Sequence, residues 1–152
     1  MTKISNRFAD LLLESDDLGK IGIERADLLF SVYRKSFKEY KNYHILDAQF
    51  NIIFDREYPD SPYLDKYFYA NKRVLNVFIS LFKDGYRDKT IMVPQSAGEM
   101  NPEKSAYMFL NVINSYVEKI SLRQMLMEDE QGISMDEELR DFINYLIESL
   151  RV

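Results

Sequence analysis

NPEKSAYMFLNVINSYVEKISLRQMLM, residues 101–127, is the stretch on which the fold turns. Asn101 can offer its side-chain oxygen to the free N–H groups of a first helical turn. Pro102 suits the first helical position because its missing N–H has no bond to make there, and Glu103 sets a negative charge at the positive end of the helix dipole. Ala106, Phe109, Leu110, Ile113, Tyr116, Val117 and Ile120 then recur every three or four residues, which is one stripe of an α-helix. Met108, Val112, Leu122, Met125 and Leu126 spread that stripe outward, beyond what one neighbouring surface covers. A helix apolar on more than one side belongs in a helical bundle and has surface left for a further partner.

Working outward, the loop before this helix, residues 88–101, loses the helical period around Pro94, Ser96, Ala97 and Gly98; only Thr90 to Val93 alternates like a short strand. Before the loop, Ser61-Pro62 repeats the start signal for a helix through Leu64, Tyr67, Phe68, Asn71, Leu75, Phe78, Ile79 and Phe82 to Gly85. Residues 44–58 predict a shorter helix, with Leu46, Phe50, Ile53 and Phe54 inward, closed by Pro59 and Pro62. Residues 23–43 predict a long helix on Ala26, Leu29, Phe30, Tyr33, Phe37 and Tyr40. Ile4, Phe8, Leu11 and Leu12 predict a first helix that stops near Ser15-Asp16-Asp17, before Gly19 and Gly22. After the deciding stretch, residues 128–134 read as an acidic turn around Gly132. A last helix from Asp136 to about Leu150 presents Leu139, Phe142, Ile143, Leu146, Ile147 and Leu150. The expectation is a single all-α domain over residues 1–152, a bundle of about six helices.

Composition narrows the function. Of 152 residues, 20 are Lys or Arg and 25 Asp or Glu, a net charge of −5, which opposes a role in gripping a nucleic-acid backbone. The absence of cysteine excludes disulfides, thiolate metal sites and cysteine nucleophiles. No run of about 18 apolar residues exists to span a membrane, and the N-terminus meets a charged amphipathic run instead of a signal peptide's apolar core, so a cytoplasmic protein without a membrane partner is expected. The sole histidine, His44, has no second ligand type or nucleophile beside it in sequence and reads as a helix-junction residue. No catalytic residue, metal or cofactor is expected, and no enzyme.

Aromatic density is the positive signal: 11 Tyr and 10 Phe, many at inward helical positions. Rings at helical spacing build cores as well as pockets. Interspersed asparagines tilt the reading toward a pocket, because a buried amide without a partner costs about 1–3 kcal/mol. The candidate ligand-binding set is Tyr33, Phe37, Phe50, Phe54, Tyr67, Asn71, Phe78, Tyr107, Asn111 and Asn114. The candidate dimer interface, drawn from the wide apolar faces of the last two helices, is Met108, Val112, Leu122, Met125, Leu126, Phe142, Tyr145 and Leu146. Either a second copy covers those faces or the four earlier helices do.

The order of these features resembles the C-terminal domain of TetR-family transcriptional regulators. Ser61-Pro62-Tyr63-Leu64 opens a helix ending in the run from Phe78 to Tyr86. A loop follows, then Asn101-Pro102-Glu103-Lys104-Ser105-Ala106, then Glu128-Asp129-Glu130-Gln131-Gly132, and a last helix from Met135 to Leu150-Arg151. The resemblance implies a homodimer whose last two helices form a four-helix interface. It also implies an effector cavity lined by residues 23–87 and the inner face of residues 102–117, taking a small apolar or aromatic ligand. Members of that family begin with a DNA-reading segment for which there is no room before Thr2, so DNA would be bound only through a segment missing from this chain. The acidic balance is consistent with that division. The alternative expectation is a standalone helical interaction or adaptor protein without a small-molecule ligand.

Overall fold

The computed structural model describes residues 2–54, 57–58, 60–94, 101–126 and 134–152. It is an all-α bundle of six helices: α1 Thr2–Ser15, α2 Gly22–Glu39, α3 Lys41–Phe54, α4 Leu64–Arg87, α5 Pro102–Leu126 and α6 Met135–Leu150. Among the described residues the only β-type pairing is an isolated antiparallel bridge between Ile91 and Arg151, in which the Met92 N–H donates to the Leu150 carbonyl at 2.7 Å. The strand-like run after α4 thus serves to fasten the chain's last residues. The acidic turn expected at residues 128–134, apart from Ser134, and the centre of the loop at residues 95–100 lie outside the described residues.

Helix starts follow capping chemistry. Asn101 Oδ1 accepts from the Lys104 N–H at 2.8 Å, and Ser134 Oγ accepts from the Glu137 N–H at 3.2 Å. Ser61 does something different. Its Oγ accepts from the Tyr63 N–H at 3.3 Å and its carbonyl from the Leu64 N–H at 2.9 Å, which makes Ser61-Pro62-Tyr63 a turn before a helix that begins only at Leu64. The break between α2 and α3 also falls earlier than the periodicity suggests. Tyr40, at φ −122° and ψ 33°, ends α2, and α3 opens at Lys41. No glycine or proline marks that break, so the apolar spacing runs straight across it.

α4 is the central helix, packed against α1, α2 and α5; α5 also receives α3 and α6, and α6 lies mainly along α2. The interior between them holds Leu12, Leu29, Phe30, Phe78, Leu81, Ile113, Leu139 and Ile143, all essentially without solvent contact. Crossing of α2 over α4 depends on two glycines: a Cβ at Gly22 would sit 2.3 Å from the Gly85 Cα. Beside the crossing, the N–H groups of Gly22 and Ile23 donate to Asp88 Oδ2 at 2.7 Å and Thr90 Oγ1 at 3.1 Å, so the exit of α4 caps the entry of α2. The fully buried Arg25 joins Asp16 at 2.8–2.9 Å, Asp84, and the carbonyl and hydroxyl of Ser80, tying α2 to α4 and to the end of α1. Burial opposes the Arg25 charge, but the hydrogen bonds and charges of Asp16 and Asp84 more than offset it, and its pKa is raised.

Candidate functional site

α3 decides the site because it is turned inside out relative to its apolar pattern. Its apolar residues Leu46, Ile52 and Ile53 are exposed, Ile53 by 72%, whereas the polar stripe of His44, Asp47 and Asn51 together with Ala48 faces the bundle. This corrects the expectation that Leu46 and Ile53 point inward. Where α3 meets the other helices, only the small Ala48 is tightly buried, and the remaining space is a cavity of about 230 Å³. Ser5 and Phe8 of α1, Tyr33 of α2, Tyr67, Asn71 and Val74 of α4, and Leu110, Asn114, Val117 and Glu118 of α5 complete its lining, with Tyr43 from α3.

One wall is apolar. Phe8 meets Tyr33 edge-on with ring centroids 4.8 Å apart, and Val74, Leu110 and Val117 extend that surface. The other wall is a set of hydrogen-bonded polar groups. Ser5 Oγ and Tyr43 Oη share a hydrogen bond of 2.6 Å, and Tyr67 Oη donates to Asp47 Oδ1 at 3.1 Å. Burial raises the Tyr33 and Tyr67 phenols above their ordinary range and pushes Tyr43 up to about 12. Burial also raises the Asp47 carboxyl, against the Tyr67 hydrogen bond and with the help of the nearby Glu118 charge. Burial lowers His44 to about 4, so its ring is neutral at pH 7. One ring nitrogen of His44 bonds to the backbone of Ser36 while the buried Nε2 has no partner, which leaves Nε2 as a bare acceptor; Phe37 stacks on the ring at 5.0 Å.

Of the expected ligand-binding residues, the cavity gathers Tyr33, Tyr67, Asn71 and Asn114. Phe37 stands behind His44, and Phe78 is sealed in the core between Phe30 and Tyr33. Phe50 and Phe54 belong to a separate aromatic group with Tyr58 and Phe68, because the outward turn of α3 carries them past the cavity. Tyr107 and Asn111 are exposed on the outer flank of α5, one helical turn apart, since α5 presents Leu110, Ile113 and Val117 inward. Sequence reasoning read His44 as a helix-junction residue and passed over Asp47 and Asn51. Their signal was available: the spacing of 44, 47, 48 and 51 is itself a helical stripe.

The outer faces of α5 and α6 form a second, open depression lined by Asn111, Val112, Ser115, Tyr116, Lys119 and Phe142. Tyr116 and Phe142 stack at 3.7 Å, and Tyr116 Oη donates to Glu138, which also pairs with Arg123. Met108, Val112 and Tyr145 are exposed here and Leu122 and Phe142 are half-buried, so these expected interface residues line an outer surface. Leu146 does not: it is buried on the inner face of α6, which packs along α2. The side chains of Met125 and Leu126 lie outside the described residues.

Among the described residues, no group of three or more His, Asp or Glu is placed to hold a metal ion, and no helix is long and apolar enough to cross a membrane. Chemically, the cavity offers carboxylates, amides that donate and accept, and aromatic rings, an arrangement suited to binding. No family model, no curated protein and no solved structure matches this chain.

Proposed function

We propose that this chain is the effector-sensing and dimerising domain of a TetR-like transcriptional regulator, with DNA read by a segment outside these 152 residues. The observation that carries the proposal is that the cavity is lined by Ser5 and Phe8 of α1 as well as by α2 to α5. A small aromatic or apolar effector entering there touches α1, the helix to which an upstream DNA-reading segment would attach. It therefore favours one placement of α1 against the rest of the bundle. The exposed Met108, Val112 and Tyr145 on α5 and α6 supply apolar surface for a second copy.

The test joins a thermal-shift panel of small aromatic compounds with sedimentation at micromolar concentration. An effector present at a hundred times its Kd adds about 2.7 kcal/mol of stability, a shift of roughly 5–10 °C in a domain of this size. A chain that stays monomeric at 100 µM and is shifted by no compound would sink the proposal. The exposed Leu46, Ile52 and Ile53 on the outside of α3 favour a second reading, a helical interaction module that binds another protein. In that case a partner, and no small molecule, protects the α3 amides from hydrogen exchange.

A further inference from the structure

The cavity has a charge character that a neutral effector would leave unsatisfied. We propose that it takes a small organic cation, a protonated amine carrying one aromatic ring, with the ammonium held by Asp47 and Glu118 and the ring against Tyr33 and Phe8. This rests on the reading of the cavity as a ligand site and specifies what enters it.

The lining contains two carboxylates, Asp47 and Glu118, and no lysine or arginine. Asn51, Asn71 and Asn114 add amides that both donate and accept, and none of them carries charge. His44 keeps an unpartnered, buried Nε2 on a neutral ring, while the Tyr67 hydroxyl donates to Asp47 and the Tyr43 and Ser5 hydroxyls share one hydrogen bond. An ammonium group brings a positive charge, which no lysine or arginine of the lining supplies, with up to three N–H donors for the two carboxylates. A neutral apolar guest would strip water from both carboxylates and return nothing, and an anionic guest would meet their repulsion. The charges are already in conflict: Glu118 adds to the burial that holds the Asp47 carboxyl above its ordinary range, and a cation between them relieves both effects.

Shape and field agree with this chemistry. The rings of Tyr33 and Phe8, with Val74 and Leu110, line the cavity as an apolar surface for the ligand's own ring. An apolar cavity of about 150 Å³ accommodates benzene; the 230 Å³ here leaves room for one ring and a short aliphatic arm. The net charge of −5 attracts cations toward the molecule as a whole. A metal ion is the poorer match, because no group of three or more His, Asp or Glu among the described residues is placed to hold one.

The experiment is isothermal titration calorimetry at pH 7 with three probes of like size: 2-phenylethylamine, 2-phenylethanol and 3-phenylpropanoate. Each is titrated into the wild-type chain, Asp47→Asn and Glu118→Gln, with circular dichroism confirming that the variants fold. The amine is expected to bind at least about tenfold more tightly than the alcohol, the propanoate not to bind, and each variant to weaken the amine about tenfold with little change for the alcohol. Equal affinity for amine and alcohol overturns the charge inference while leaving the cavity a ligand site. An amine preference that survives in both variants also overturns it, since the carboxylates then do not hold the cation. Absence of binding by all three probes overturns this inference, while the sensor reading is decided separately by the wider thermal-shift panel and sedimentation. If one variant fails to fold, the other variant and the wild-type comparison of the three probes still decide.

Discussion

Replacing Gly22 with alanine places a methyl group where α2 crosses α4. The added Cβ would lie 2.3 Å from the Gly85 Cα and 2.7 Å from its nitrogen, and both are backbone atoms that no side-chain rotation can move. An ordinary carbon–carbon contact is about 3.5 Å or longer, so the two helices must part by roughly 1 Å. Overpacking a tight contact costs about 1–3 kcal/mol, and a backbone neighbour puts this site at the upper end. Separation also stretches the bonds from Gly22 N to Asp88 and from Ile23 N to Thr90, now 2.7 and 3.1 Å. Alanine recovers at most about 0.5–1 kcal/mol through its lower unfolded-state entropy. The net expectation is a loss of about 2–3 kcal/mol, read as a fall in Tm of roughly 5–10 °C. Thermal and urea unfolding followed by circular dichroism at one fixed protein concentration measures it. Gly19→Ala is the control, because Gly19 is exposed and its Cβ would meet only the Asp17 carboxylate at 3.2 Å. That change should stay within about 0.5 kcal/mol of wild type. A Gly22→Ala chain as stable as the control would refute the close-crossing argument.

Three further outcomes follow from the same geometry. Arg25→Met leaves the Asp16 carboxylate in the interior without its cation and Asp84 with only the exposed Arg87, and should cost about 3 kcal/mol in urea unfolding, much of it recovered when both aspartates are also made asparagine; an unrecovered loss would point to packing instead. His44 is depressed to about 4 from its ordinary 6.5, so between those values the unfolded chain binds a proton that the folded chain refuses. The stability due to the neutral ring is complete above about pH 6.5 and is lost as pH falls toward 4, by at most roughly 3 kcal/mol. Asp47, with its raised carboxyl, works in the opposite direction, so the quantity to measure is wild type minus His44→Gln at pH 7, 5.5 and 4.5; a constant difference refutes the assignment. Val112→Glu, at an exposed position of α5, should leave Tm of the monomer within about 2 °C while abolishing dimers in sedimentation, and dimers that survive it would place self-association elsewhere.

The helices were legible because each carries its own period and, at Asn101, its own cap. Their partners were not. Periodicity identifies an apolar stripe but does not say which stripe meets which, and α3 exploits that gap. Leu46 and Ile53 satisfy the pattern of a buried face yet are exposed, while His44 and Asp47 break the pattern and face the bundle, because the α3 stripe that meets α5 lines a polar-walled cavity. The same limit divides the α5 asparagines. Asn114 reaches the cavity and Asn111 the outer depression, although they stand three positions apart and look alike in sequence. Leu146 was assigned outward because α6 is apolar over a wide arc; packing of α6 along α2 claims the arc that holds it. Tyr40 and Ser61 show where local grammar misplaces a boundary, one by lacking a breaker and the other by capping a turn instead of a helix.

The borrowed cap at the start of α2 has a kinetic reading. First-turn amides of a helix have no acceptor within it and normally exchange with solvent deuterium almost as fast as in a random chain. The Gly22 and Ile23 amides are instead bonded to side chains 66 and 67 residues further along the chain. Their protection cannot arise from α2 alone, so it comes and goes with the docking of the far end of α4. Two backbone sites thereby become a clock for closure of the bundle, and their exchange in the native state should match that of the α4 interior near Leu81, not that of the first turn of α5, whose cap at Asn101 is local.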